Sequence, residues 1–169
     1  MTDWVNDTIN KSQETQQAQG GQDNRQINWV TDSISPQIPA DSNWEDFQVA
    51  AKQISKDRGF PSNVLLGQAA LESARGSSQM ARDKNNYFGY MAYDSDPNMA
   101  RNYQSPVQSI NDYIDLITQD PIYRQAWSQY LQDHSSINLI KNIKGAGYAT
   151  DPNYVAKVMA TPEFMEGLQ

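Results

Sequence analysis

From Ser42 onward the apolar residues recur three and four apart between capping residues, glycines and prolines. No segment of four or more alternates cleanly between apolar and polar. Such spacing lets each helix bury one face and gives a sheet no face to bury. The first run opens with Ser42 and Glu45 at capping-box spacing. It carries Trp44, Phe47, Ala50, Ala51 and Ile54, and stops at Gly59. Ser62 is placed to cap a second helix that reaches about Arg75, before Gly76. "GSSQMARD" adds a short turn, and "NNYFGYMAYDSDPN" reads as a loop.

Helices resume with Ser105 as cap and Pro106 in the first turn, Ile110, Tyr113, Ile114 and Ile117 forming one face. Asp120-Pro121 repeats that start, ahead of a stripe of Ile122, Tyr123, Ala126, Trp127 and Tyr130. "SSINLIKNIKG" and a final helix begun by Asp151-Pro152 complete the series. The expected class is all-α, with six or seven helices and short connections.

Residues 1–42 are different. "KSQETQQAQGGQDNRQ" lacks large apolar side chains, so it cannot offset the entropy of ordering, and we read 1–42 as a flexible leader to a domain at 43–169. Within it "WVNDTI" (Trp4–Ile9) recurs as "WVTDSI" (Trp29–Ile34). The pair reads either as short motifs that dock a protein partner or as patches that fold back on the domain.

Charge and composition remove several function classes. The chain carries −7, with six acids and two bases in 1–42 and fourteen acids and eleven bases in the remainder. Neither part has the basic excess of a nucleic-acid binder. No apolar run reaches the length of a membrane span, and Met1–Gln13 lacks the parts of a secretory signal. With no cysteine and one histidine (His134, read as a surface residue), thiolate and histidine metal sites are not expected. "DSDPN" at Asp94–Asn98 lacks the glycine and closing glutamate of a calcium loop.

Carboxylates remain. The domain has four glutamates: Glu45, Glu72, Glu163 and Glu166. Glu45 suits a helix start, and Glu163 and Glu166 lie near the C-terminus. Glu72, in "VLLGQAALESARG", sits near a helix C-terminus, where the dipole opposes a negative charge. Gln68 and Ala69 precede it by one turn. A carboxyl in so apolar a setting should hold its proton to higher pH, as a general acid requires. An i,i+3 ion pair with Arg75 explains it equally well from the helix alone. The tyrosines tip the balance. Tyr87, Tyr90, Tyr93 and Tyr103 cluster near Phe88, and Tyr148 and Tyr154 flank "ATDPN", as suits stacking on sugar rings. Core packing is the other use of such rings, Phe88 above all.

Three ordered blocks carry a resemblance: "FPSNVLLGQAALESARGSSQMARDKNNYFGY", "RNYQSPVQSINDYIDLI" and "AGYATDPNYVAKV". Over about residues 43–160 the chain resembles glycoside hydrolase family 73, the bacterial and phage N-acetylglucosaminidases that cut peptidoglycan. The resemblance implies a lysozyme-like α-domain with a glycan cleft and a reduced or absent β-lobe. It implies Glu72 as general acid and Tyr148 as an assisting cleft residue. Gln68, Asn85, Asn86, Tyr87, Tyr90 and Tyr154 are the candidates for substrate contact, with Phe88 and Gly89 shaping the wall. It calls for no cofactor.

One departure matters. Family members usually have a longer insert between the first two blocks, often with a second carboxylate; here "YMAYDSDPNMARN" is shorter and offers only Asp94 and Asp96. Either aspartate can stand in as a base, or the substrate's 2-acetamido group can act as nucleophile. A transglycosylase would need neither. The shorter insert predicts a more open cleft. The expected activity is hydrolysis of the β-1,4 bond between N-acetylglucosamine and N-acetylmuramic acid. The expected place is outside the cell, in the envelope or on a phage virion. The rivals are a lytic transglycosylase and a glycan-binding or structural module that does not cut.

Overall fold

A computed structural model of the chain describes residues 43–90 and 100–168. The leader with its two Trp motifs, and Tyr93, Asp94 and Asp96, lie outside the described residues. Eight helices are present and no strand occurs among the described residues: α1 (Trp44–Arg58), α2 (Ser62–Ser73), α3 (Gln79–Lys84), α4 (Pro106–Gln119), α5 (Arg124–Asp133), α6 (Ser136–Gly145), α7 (Tyr154–Met159) and α8 (Pro162–Glu166).

The hub is α2. Nine of its twelve residues are buried, Asn63 through Ala70 and Ser73, so no solvated stripe remains and the helix must be covered on several sides. It packs against α1, α6, α7 and α8. Gly67 permits the closest of these approaches. A Cβ there would stand 3.0 Å from Phe164 Cβ and 3.2 Å from both Thr161 Oγ1 and Val158 Cγ1. Around this hub the core is aliphatic and aromatic, with Phe47, Leu65, Leu66, Ile110, Ile114, Ile117, Leu139, Ile140, Ile143 and Phe164 all essentially inaccessible. Each such side chain contributes about 1.5–3 kcal/mol of transfer free energy.

The elements follow the sequence periodicity; the caps and ends often do not. Helix α1 is capped by Asn43, not by Ser42 with Glu45. Asn43 Oδ1 accepts from the Asp46 N–H at 3.0 Å, and Asp46 Oδ2 accepts from the Asn43 N–H at 3.2 Å. Gly59 closes α1 in the left-handed conformation at φ 64°, as expected. Ser62 is the first residue of α2, not its cap, and Pro61 holds the cap position without a side-chain bond. Ser105 likewise holds the cap position of α4 but makes no capping hydrogen bond.

Two departures shape the site. First, α2 stops at Ser73, two residues before the expected end, and Ala74 and Arg75 turn left-handed at φ 48° and 54°. Ser73 organises the exit: its hydroxyl donates to the Ala69 carbonyl at 2.6 Å and accepts from the Gly76 N–H at 2.8 Å. Second, Asp120-Pro121 does not begin a helix. Asp120 ends α4, its Oδ1 accepts from the Ile122 N–H at 2.8 Å, and α5 starts only at Arg124. Ile122 therefore leaves the predicted stripe and is 63% exposed. Asp151 also forms a turn rather than a helix cap, accepting from the Asn153 N–H at 2.8 Å, and α7 begins at Tyr154.

Candidate active site

Glu72 opens onto a cleft of about 870 Å³, within the range of small-molecule sites. Four parts of the chain build its walls: Leu71 and Glu72 from the end of α2, Phe88 to Tyr90 from the loop after α3, Leu116 to Tyr123 around the end of α4, and Tyr148 to Lys157 leading into α7. Gly89 lets the second wall come close. It sits at φ 65°, and a Cβ on it would lie 3.8 Å from Glu72 Oε2.

The Glu72 side chain is exposed at the cleft, with Gly89 alongside one of its oxygens. Burial raises its carboxyl above the usual carboxylate value, and a hydrogen bond with the Tyr154 hydroxyl opposes that rise. No Lys or Arg pairs with it among the described residues. Arg75, the expected i,i+3 partner, has turned away. Its Nε donates to Glu163 Oε1 at 2.7 Å and its guanidinium donates again to Oε2 at 3.0 Å.

Behind Glu72 lies a line of buried hydroxyl and amide groups. Gln68, one turn earlier on the same face of α2, is fully buried. Its Nε2 donates to the Tyr154 hydroxyl at 2.8 Å, and its Oε1 accepts from the Tyr113 hydroxyl. Tyr148 projects between these rings, 6.2 Å edge-on from Tyr113 and 6.0 Å from Tyr154, and its hydroxyl donates to the Phe88 carbonyl at 3.1 Å. Burial first, and the nearby Glu72 charge among the lesser causes, pushes Tyr113, Tyr148 and Tyr154 far up. All three remain neutral hydroxyl donors at any ordinary pH.

The sequence-predicted residues divide accordingly. Glu72, Tyr90, Tyr148 and Tyr154 line the cleft together, with Phe88 and Gly89 in its wall. Tyr87 does not. It is 6% exposed, stacked 4.1 Å from Phe47, with its N–H donating to Ser109 Oγ, so it is a core ring. Asn85 and Asn86 are loop braces. Asn85 Nδ2 donates to the Tyr103 carbonyl, while Asn86 Nδ2 donates to the Tyr90 and Arg101 carbonyls and its Oδ1 accepts from the Tyr90 N–H. Gln68 stands behind Glu72 and is fully buried, out of reach of a ligand.

Sequence reasoning missed Asp120, Ile122 and Tyr123, which also line the cleft. "DPIY" was legible only as a helix start. Asp120 and Asp151 are the other carboxylates on this wall, and Asp151 is held by Lys157 Nζ at 2.6 Å. A second hollow, about 740 Å³ along Arg101–Gln108 and α4, holds Asp112 and Asp115. Both are already paired there, with Arg101 and Arg58.

A helical hub and an open cleft, with a carboxyl in its lining that pairs with no cation among the described residues, mark a lysozyme-like glycoside hydrolase domain. The chain belongs to the glucosaminidase family, described as mannosyl-glycoprotein endo-beta-N-acetylglucosaminidase, whose model matches residues 48–166. It is 28% identical over 152 residues to the peptidoglycan hydrolase FlgJ of Salmonella typhimurium, covering 73% of this chain and 47% of that protein. To FlgJ of Vibrio parahaemolyticus it is 31% identical over 141 residues, covering 70% and 45%. The chain thus spans about half the length of these relatives. The solved glycoside hydrolase domain of Salmonella FlgJ superposes with a TM-score of 0.54 at 27% identity, covering 74% of this chain and 88% of that one.

Proposed function

We propose that this protein hydrolyses peptidoglycan at the β-1,4 bond between N-acetylglucosamine and N-acetylmuramic acid, with Glu72 as general acid. The observation that carries the reading is Glu72 itself: open to the cleft, without a cation partner among the described residues, and raised above the usual carboxylate value by burial. Protonated, it gives its proton to the glycosidic oxygen as the C1–O bond breaks and positive charge develops on the sugar ring. The leaving chain departs as an alcohol, and water adds at C1. The half-buried ring of Tyr90 is the one placed for sugar stacking, Tyr123 backs the wall, and Tyr148 assists by bracing it through the Phe88 carbonyl.

Activation of water falls either to a carboxylate on the cleft, Asp120 being the one free of a cation, to Asp94 or Asp96, or to the substrate's 2-acetamido group. The relatives named as peptidoglycan hydrolases support a place of action at the bacterial envelope. A virion that attacks the envelope is the other place proposed, with the repeated Trp motifs of residues 1–42 docking a carrier protein. Digestion of purified cell walls, with mass spectrometry of the new ends, tests the reading. Reducing N-acetylglucosamine ends, lost in Glu72→Gln, are expected. Anhydro-muramyl ends would reassign the protein as a lytic transglycosylase. Glycan binding with no new ends would make it a binding module.

A further inference from the structure

The line of groups behind Glu72 has a direction. Tyr113 is 3% exposed, and its proton goes to Gln68 Oε1. That bond orients the Gln68 amide, so Nε2 must face Tyr154, and it donates to the Tyr154 oxygen at 2.8 Å. With its oxygen accepting, Tyr154 has its own proton left to give, and the acceptor beside it is the Glu72 carboxyl, which stands one turn after Gln68 on the same face of α2 and lines the same cleft as Tyr154. Reversing the amide would strip the buried Tyr113 proton of its acceptor, at the cost of an unsatisfied buried donor.

We infer that Gln68 and Tyr113 are positioning residues that fix Tyr154 as a hydrogen-bond donor to one oxygen of Glu72, leaving the acidic proton on the oxygen turned to the cleft. An oxygen that accepts from Tyr154 is a poor site for a proton, so the proton occupies the other one. That places it toward a leaving group rather than toward the protein. The inference rests on Glu72 as the general acid for its catalytic meaning, and on the hydrogen-bond line alone for its geometry.

The groups around Glu72 are few. Tyr154 faces it from α7, Tyr113 from α4 and Tyr148 from the segment before α7, all protonated. Asp120, Asp151 and Lys157 lie along the same cleft, the last two tied to each other. Tyr154 is therefore the group whose removal alters the hydrogen bonding of Glu72 without altering any charge.

The test combines kinetics with direct titration of Glu72 by carbon NMR of ¹³C-glutamate-labelled protein, the resonance assigned by its loss in Glu72→Gln. In Tyr154→Phe we expect kcat to fall about tenfold with KM nearly unchanged. The Glu72 titration and the alkaline limb of the rate profile should both move to higher pH, because the carboxylate has lost a donor. Tyr113→Phe and Gln68→Met should move both in the same direction by less. A merely structural role would lower the melting temperature and kcat without moving the titration. An unmoved Glu72 titration in a folded Tyr154→Phe variant overturns the inference. If that variant does not fold, an unmoved titration in both Tyr113→Phe and Gln68→Met does so. The titration needs no substrate, so it decides the matter even if the parent protein cuts no cell wall.

Discussion

Glu72 and Glu163 are two glutamates at opposite sides of one short exit from α2, and the protein treats them in opposite ways. Glu163 has a side chain only 5% exposed; burial pushes it up, yet the two-pronged Arg75 contact and the Trp44 indole N–H hold its carboxyl below the usual value. Glu72 meets the solvent of a cleft, pairs with no cation among the described residues, and is raised. The cation that could have neutralised Glu72 is the one that neutralises Glu163. What separates them is the left-handed turn at Ala74 and Arg75, which carries the guanidinium from the cleft to the C-terminal helix. A carboxylate held by a cation and one left open to the cleft thus come from allocating a single arginine.

The largest expected effect tests the chemical half. Glu72→Gln should cut the rate of cell-wall cleavage about 10³-fold while leaving the melting temperature within a few degrees, read by release of reducing ends and by calorimetry. Gly67→Ala attacks the shared support. Its new methyl would meet Phe164 Cβ at 3.0 Å, and we expect a loss of about 1–3 kcal/mol in denaturant unfolding.

Arg75→Ala attacks the structural half. It leaves Glu163 buried beside Trp44 alone and should cost about 2 kcal/mol. That is less than a fully buried pair, because Arg75 is nearly half exposed and solvent already screens it. Cleavage by the surviving folded fraction should be nearly unchanged, which an ion pair between Arg75 and Glu72 would not allow.

The smallest effects are in pH, and their signs differ. Glu163 is lowered in the folded state. The stability it contributes is present above the ordinary glutamate value and is lost as pH falls through its folded value. Glu72 is raised, so its contribution is present below the ordinary value and is lost as pH rises through its folded value. The activity proposed for Glu72 needs the proton and should be lost in the same direction. Melting curves against pH should flatten on the acid side in Glu163→Gln and toward neutrality in Glu72→Gln. Identical curves for the two variants would remove the contrast.

Much of this was legible along the chain. Most of the helices, the Gly59 stop, the burial of Phe88 and the three family blocks are local or periodic facts, and local facts are written in neighbouring residues. Aromatic fate was not. Tyr87 and Tyr90 are three residues apart in the same loop, yet one stacks on Phe47 and the other lines the cleft. A tyrosine ring suits both environments, so composition cannot choose. Asp120 looked like the residue that starts a helix, because Asp-Pro serves equally at a helix start and in the turn that Ile122 closes.

What the sequence by itself determined is the all-helical class, most of the helices and a short list of carboxylates with Glu72 at its head. What only the tertiary structure decided is who answers whom. Arg75 turns to a residue 88 positions away, and Gln68 reaches hydroxyls 45 and 86 positions away. Those pairings depend on where α2 ends and on how closely α7 and α8 pack against Gly67. Both are settled by the filling of a three-dimensional core, which no window of sequence contains.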